Sequence, residues 1–320
     1  MEQRTVVITG ANSGLGFQCA KNIASADPNY TVVLACRDAR RAADARDDLR
    51  RDTGNPNIVP LMIDLSSLES VRAFCDNYDA ASLPPLHSLV CNAGFNTIGK
   101  MDYTTDGYES VFQVCYLGHF LLANLMLSRL TDQGRLVFVS SDMHYTTLSK
   151  ARAVFTDAYA LAHPTAEKRT MFHYSMAKLC LIMCTLHMAR RLGPETGMTA
   201  TVNAINPGLM TDTKIWQYPH NPVGRTLERA TLSAISRAWG QGSTSVASGR
   251  VLADMVTDSR YAGINGEYIS FLGVQQSSSF ASRDKAAART LWRQSVDLAH
   301  LTPADTPLRL DPDEDMATRG

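Results

Sequence analysis

A tyrosine and a lysine one helical turn apart stand in the run Tyr174-Ser175-Met176-Ala177-Lys178. Side chains at i and i+4 share a face of a helix. An ammonium beside a phenol favours the phenolate by charge and draws its pKa down from an ordinary value of about 10. Such a phenol can give or take a proton near neutral pH. Upstream, an apolar run closes on Val139-Ser140-Ser141. A serine hydroxyl at a strand end can hydrogen-bond a substrate oxygen and hold it against the phenol; Ser141 is the choice for this role, with Ser140 the alternative. Alone, the Tyr-x-x-x-Lys spacing more often marks a surface pair, so its meaning depends on its surroundings.

A second group of residues suits a phosphate. Thr9-Gly10-Ala11-Asn12-Ser13-Gly14-Leu15-Gly16 follows the first β-rich run and opens a helix. Glycines let the backbone turn tightly and approach a pyrophosphate, whose charge meets the free N–H groups of the helix N-terminus. The spacing is G-x3-G-x-G rather than the general G-x-G-x-x-G fingerprint. The second β-rich run ends in Ala35-Cys36-Arg37-Asp38, where an NAD site presents a carboxylate to the ribose hydroxyls. Arg37 offers a guanidinium fork suited to a 2′-phosphate instead, which predicts NADP(H). Arg40, Arg41 and Arg46 read as a solvated helix face. Asp64, followed by Leu65 at the third strand end, could accept a hydrogen bond from an adenine amino group, cap the helix that begins near Ser66 or Ser67, or do both. Cys91-Asn92-Ala93-Gly94 closes the fourth strand with residues small enough for a ribose or flat ring to lie against the backbone.

These residues need a scaffold that brings strand ends together. β-rich runs at Val6–Thr9, Thr31–Ala35, Ile58–Ile63, Ser88–Cys91, Leu136–Ser140 and Thr201–Ile205 alternate with helix-length segments, and a late strand is expected near Glu267–Phe271. Such alternation predicts βαβ units and a doubly wound parallel sheet of about seven strands in one α/β domain, residues 1–302. The nearly all-apolar strands fit a sheet covered on both faces. Two segments break the alternation: Asp142 to Phe172, and about 209–239, which carries Pro219, Pro222 and Gly224 and is expected to form a substrate lid. From Pro303 the chain, with its acidic run Asp311-Pro312-Asp313-Glu314-Asp315, is expected to be a flexible tail.

In this order and at these strand ends, TGANSGLG, CNAG, VSS and YSMAK resemble the short-chain dehydrogenase/reductase family over about residues 5 to 275. The resemblance implies a Rossmann-like domain that binds NADP(H) along the carboxyl edge of its sheet and exchanges hydride between nicotinamide and a carbonyl or carbinol carbon. It assigns proton transfer to Tyr174, ribose binding as well to Lys178, and substrate orientation to Ser141. Pro207 and Gly208, then Thr211 and Thr213, match the stretch that wraps the nicotinamide amide. ACRD, LGHFLL and the long insert before Tyr174 resemble the retinol dehydrogenase and protochlorophyllide reductase branch, whose members act on large lipophilic molecules. A bulky lipophilic or aromatic substrate follows, with reduction of C=C instead of C=O left open.

One position departs from the family. In Phe112-Gln113-Val114-Cys115-Tyr116-Leu117-Gly118-His119-Phe120 the family usually places an asparagine where Cys115 stands, to hold a water linking the lysine to solvent. A thiol is a weak donor and acceptor, so the relay is expected to be slowed rather than abolished. An NADP-sensing binding protein is the rival from another class; retention of Ser141, Tyr174 and Lys178 opposes it. His119 is expected to be a satisfied core histidine, and His173 to face away from the reacting centre.

The whole chain sets the bounds. Its 320 residues, 45% hydrophobic and 19% charged, can bury a large core, and Lys+Arg 31 balances Asp+Glu 31, so no global field recruits nucleic acid or an anionic membrane. Seven cysteines sit mostly inside apolar runs without CxxC pairing, and neither a signal-peptide pattern nor a stretch of about 20 uncharged apolar residues is read. A cytoplasmic protein with no metal site and no integral membrane segment is expected. Leu179–Met188 is apolar nearly all round, which buries it in the core or in a homodimer interface.

Overall fold

The computed structural model describes residues 2–97, 101–145, 153–165, 170–210, 212–213, 216–217 and 242–311. Strands β1 (Arg4–Thr9), β2 (Tyr30–Cys36), β3 (Ile58–Met62), β4 (Leu86–Cys91), β6 (Leu130–Val139) and β7 (Thr201–Ile205) carry the parallel sheet, extended by the short β11 (Tyr268–Ile269) and β12 (Gln275–Gln276). Two two-residue pairs lie apart from it: β5 (Asn96–Thr97) with β9 (Trp216–Gln217), and β8 (Leu209–Met210) with β10 (Gly242–Ser243). The helices are α1 (Gly14–Ala26), α2 (Ala39–Thr53), α3 (Leu68–Ala80), α4 (Ser110–Phe112), α5 (Gly118–Leu127), α6 (Ala158–Ala162), α7 (Thr170–Thr196), α8 (Ser245–Thr257) and α9 (Lys285–Leu298).

Sheet order is β12-β11-β7-β6-β4-β1-β2-β3. The chain starts in the middle at β1, runs out to β3, then returns to build the other half from β4. The order therefore reverses between β1 and β4, and in such sheets ligands bind where the carboxyl ends of those two strands part. All seven residues of β2 and all six of β4 are buried, because helices cover both faces: α1, α2 and α8 on one, α3, α5, α7 and α9 on the other. The sheet has eight strands, in keeping with the about seven expected. The eighth, β12, is antiparallel to β11, and its polar Gln275-Gln276 carries no β signal.

Ser110–Leu127 is continuous, with a π-helical turn at Gln113–Leu117 between α4 and α5. Its length and mean hydropathy of 1.5 would suit a membrane crossing, yet it is 89% buried inside the fold. Gly118 explains part of the fit, since a Cβ there would lie 2.8 Å from the Leu65 carbonyl oxygen.

The tail expected from Pro303 is corrected over its first residues. The Trp292 indole donates to the Leu310 carbonyl at 3.0 Å, Arg191 donates to the Arg309 carbonyl at 2.6 Å, and Leu301 and Leu308 are buried. Apolar anchors spaced through the polar run draw it onto α7 and α9. Residues 312–320 lie outside the described part, as does most of 209–239.

Candidate active site

The loop between β1 and α1 is shaped by what lies beneath it. Gly10 and Gly14 have φ of +66° and +56°, a region that favours glycine. Gly16 matters for a different reason: a Cβ there would lie 2.6 Å from Asn92 Nδ2 and 2.7 Å from the Gly10 carbonyl oxygen. Asn92 Nδ2 donates to the Thr9 carbonyl at 2.7 Å, and the Asn92 and Ala93 amides both donate to Thr9 Oγ1 at 2.9 Å. The β1 and β4 ends are thereby tied together at the point where the sheet order reverses.

Ser13 is the N-cap of α1, but its side chain makes no capping hydrogen bond, and the first turn has no acidic residue. The amides that begin α1 face the loop with a partial positive charge, which fits a pyrophosphate. Leu15 anchors the turn in the core, while Asn12 and Ser13 are half-buried. Thr213 comes over the loop, 3.6 Å from where a Gly14 Cβ would stand. Thr211 lies outside the described residues. Ahead of it, Gly208 has φ +72° and donates to Asn206 Oδ1 at 3.0 Å, and the Pro207 carbonyl accepts from Ser248 Oγ at 2.6 Å.

Arg37 is exposed at the end of β2 and makes no ion pair among the described residues. Arg46, by contrast, pairs with Asp47 at 2.8 Å. The helix cap left open between Asp64 and its followers falls to Ser67, whose hydroxyl accepts from the Ser70 amide. Asp64 Oδ1 instead accepts from the Ser66 amide at 2.9 Å and the Ser66 hydroxyl at 2.6 Å. Leu65 is buried against Gly118.

Ser141, Tyr174 and Lys178 meet at the same sheet edge. Ser140 is excluded from the reacting role, because its hydroxyl is 1% exposed and donates to the Lys178 carbonyl at 3.0 Å. Ser141 is half-buried, its Oγ accepts from the Met143 amide at 3.2 Å, and its side chain lies near enough to Tyr174 to oppose the effect of burial on the phenol. Lys178 Nζ donates to the Val139 carbonyl at 2.7 Å and lies 5.5 Å from the centre of the Tyr174 ring. An ammonium has three donors, and the strand end uses one of them.

The expected sign of the Tyr174 shift is corrected. Burial dominates and raises the phenol above its ordinary range, the nearby Cys115 adds to this, and the Ser141 side chain opposes it. Burial likewise lowers Lys178. Burial thus holds the phenol as an acid.

Cys115 sits within the π-helical turn, fully buried, and its thiol donates to the Phe95 carbonyl at 3.3 Å. Gly94 lies between Cys115 and Lys178: a Cβ on it would be 3.3 Å from Cys115 Sγ and 3.7 Å from Lys178 Nζ. The Gly94 backbone therefore passes close to Lys178, where a larger residue would crowd both side chains.

Two side chains, Thr9 and Glu109, had no role in the sequence reading. Thr9 ties β1 to β4 and meets His119 Nε2 at 2.9 Å; its place directly before the glycine turn was the available signal. His119 is buried as expected but not fully satisfied, since its Nδ1 has no hydrogen-bond partner among the described residues; it is held neutral with its pKa pushed down to about 3 by burial and then by the Lys178 charge. Glu109 caps α4 by accepting from the Val111 and Phe112 amides and lies 3.7 Å from His173 Nδ1, both side chains being 1% exposed. Burial pushes the Glu109 carboxyl up to about 7.

Residues 4–156 match the family described as short chain dehydrogenase. Retinol dehydrogenase 14 of Homo sapiens is 32% identical over 308 residues, covering 91% of this chain and 85% of that protein. The chain belongs to the short-chain dehydrogenase family. The WW domain-containing oxidoreductase of Danio rerio is 37% identical over 217 residues, 67% of this chain, and this short-chain dehydrogenase spans about half (51%) of that relative's length. Among solved structures, an uncharacterized protein from Mycobacterium paratuberculosis superposes with a TM-score of 0.65 at 28% identity, covering 93% of this chain and 94% of that one.

Proposed function

We propose that this short-chain dehydrogenase uses NADP(H) to interconvert a carbonyl and an alcohol carbon on a bulky lipophilic or aromatic substrate. The observation that carries the reading is the meeting of Ser141, Tyr174 and Lys178 at the sheet edge, beside the close-passing Gly94 backbone and the uncapped start of α1. The exposed Arg37 supports a 2′-phosphate on the cofactor, and similarity to retinol dehydrogenase 14 supports a lipophilic substrate. All seven cysteines are buried and unpaired, which supports a reducing compartment and hence the cytoplasm.

A nicotinamide bound along this edge supplies or takes the hydride. Ser141 donates to the substrate oxygen and sets its distance from Tyr174. In the reductive direction the Tyr174 hydroxyl gives its proton to that oxygen, and the high phenol pKa keeps the acid form available at neutral pH. Lys178 stabilises the phenolate left behind through its charge and binds the ribose with the N–H donors that Val139 does not use. Leu179–Met188 of α7 is covered by this chain's own helices and C-terminal run, so we propose that any homodimer forms through another surface.

The test follows NADPH oxidation with aryl ketones, quinones, enals and polycyclic phenols. Turnover with at least one is expected, and Tyr174→Phe is expected to lower kcat by about 10²–10⁴-fold while NADPH still binds. Tight NADPH binding without any turnover would point to a sensor. Full activity in Tyr174→Phe would remove the assigned acid.

A further inference from the structure

Ser141 is also held from behind, by side chains that proton transfer does not use. Just after it a 3-10 turn, Asp142–Tyr145, packs against α7 and faces the end of the sheet. The fully buried His144 bonds at both ring nitrogens: Nδ1 lies 2.7 Å from the Ser141 carbonyl oxygen, and Nε2 lies 3.1 Å from the Ser279 backbone nitrogen. A backbone N–H can only donate, so Nε2 must be the acceptor and the proton must reside on Nδ1. The tautomer is thus dictated by Ser279, and it is the one that donates to Ser141. Tyr145 packs tilted against the ring, with centroids 4.1 Å apart, and Tyr268 meets it edge-on at 5.2 Å. The neighbouring Asp142 Oδ1 accepts from the Tyr268 hydroxyl at 3.1 Å and Gln276 Nε2 at 3.2 Å.

We propose that His144 is a positioning residue for the reaction, a two-ended clamp that fixes the Ser141 backbone against the segment after β12 and so aims the Ser141 hydroxyl at the substrate oxygen. This rests on the reading of Ser141 as the substrate-orienting serine. Small displacements of a positioning group can cost as much as about 10²-fold in rate, so loosening the carbonyl bond should act on kcat.

Two neutral variants separate the ends of the clamp. In His144→Asn the amide stands where Nδ1 stood and keeps the side-chain bond to Ser141; in His144→Gln it reaches the Nε2 site and keeps the bond to Ser279, leaving the Ser141 carbonyl only the main-chain amide of residue 144, at 3.1 Å. We expect His144→Asn to retain kcat within about threefold and His144→Gln to lose about tenfold or more, with NADPH affinity equal in both. In the substrate-free wild type at neutral pH, the long-range ¹H–¹⁵N spectrum should show His144 protonated on Nδ1 alone. Equal kcat in the two variants, or an Nε2-protonated ring, overturns the clamp while leaving the reaction standing. A wild type inert toward every carbonyl overturns the reaction and the positioning role with it, and the spectrum then reports only on the tautomer.

Discussion

Cys115 stands beside Lys178, where a proton must pass if the lysine is recharged from solvent. Its thiol is spent on the Phe95 carbonyl and orders a water poorly. Cys115→Asn should therefore raise kcat and shift its pH profile; an unchanged profile would mean that this side chain does not limit proton relay. Arg37 makes the second prediction. The wild type should show a much lower KM for NADPH than for NADH, and Arg37→Ala should raise the NADPH value by about tenfold or more, the loss of a hydrogen-bonded charge contact. Equal wild-type values would remove the 2′-phosphate assignment. Both side chains could be singled out in the sequence because each replaces an expected residue type. The phenol shift could not be, since the i, i+4 spacing supplies only the favourable charge, and the opposing burial of Tyr174 comes from α7 packing on the sheet.

At the scale of elements, the start of α1 depends on how closely β4 passes beneath it. Gly16→Ala would drive a methyl group to within 2.6 Å of Asn92 Nδ2 and 2.7 Å of the Gly10 carbonyl. Overpacking of this kind costs about 1–3 kcal/mol, so Tm should fall and the NADPH Kd should rise together. A variant with both unchanged would show that the loop yields freely. Strand alternation and the glycine turn were legible along the chain, because their periodicity is local. The π-helical turn at Gln113–Leu117 was not, since it packs on α7 and on the Gly94 and Phe95 backbone, which are distant in sequence.

Across the whole molecule, buried histidines set the response to acid. Burial, the largest cause in each case, lowers His144 to about 4 and His119 and His187 to about 3. An unfolded histidine titrates near 6.5. Between about 4 and 6.5 the unfolded chain takes up protons that the native rings refuse, so this contribution to stability is complete above 6.5 and is lost as pH falls. Glu109 acts oppositely: raised to about 7 from an ordinary 4.5, it favours the fold below 4.5 and loses that contribution as pH rises to 7. With four histidines lowered by burial, His87 among them, against two raised carboxyls, Glu109 and Asp142, the urea midpoint should be higher at pH 7 than at pH 5. The reverse order would mean that the carboxyls outweigh the rings.

What the sequence determined by itself was whatever is written in local pattern: the alternation that makes a doubly wound sheet, the glycine turn at the first strand end, and the i, i+4 pairing of Tyr174 with Lys178. It chose Ser141 with Ser140 as the alternative but held no physical ground to separate neighbours at one strand end; the burial of Ser140 and its bond to the Lys178 carbonyl supply that ground. Nor could it foresee the docking of the run through Leu310, whose polar composition conceals anchors that find partners on α7 and α9. Hydrophobic periodicity is felt within a few residues along the chain, whereas burial, proton affinity and hydrogen-bond partnership belong to neighbours that only the fold brings together.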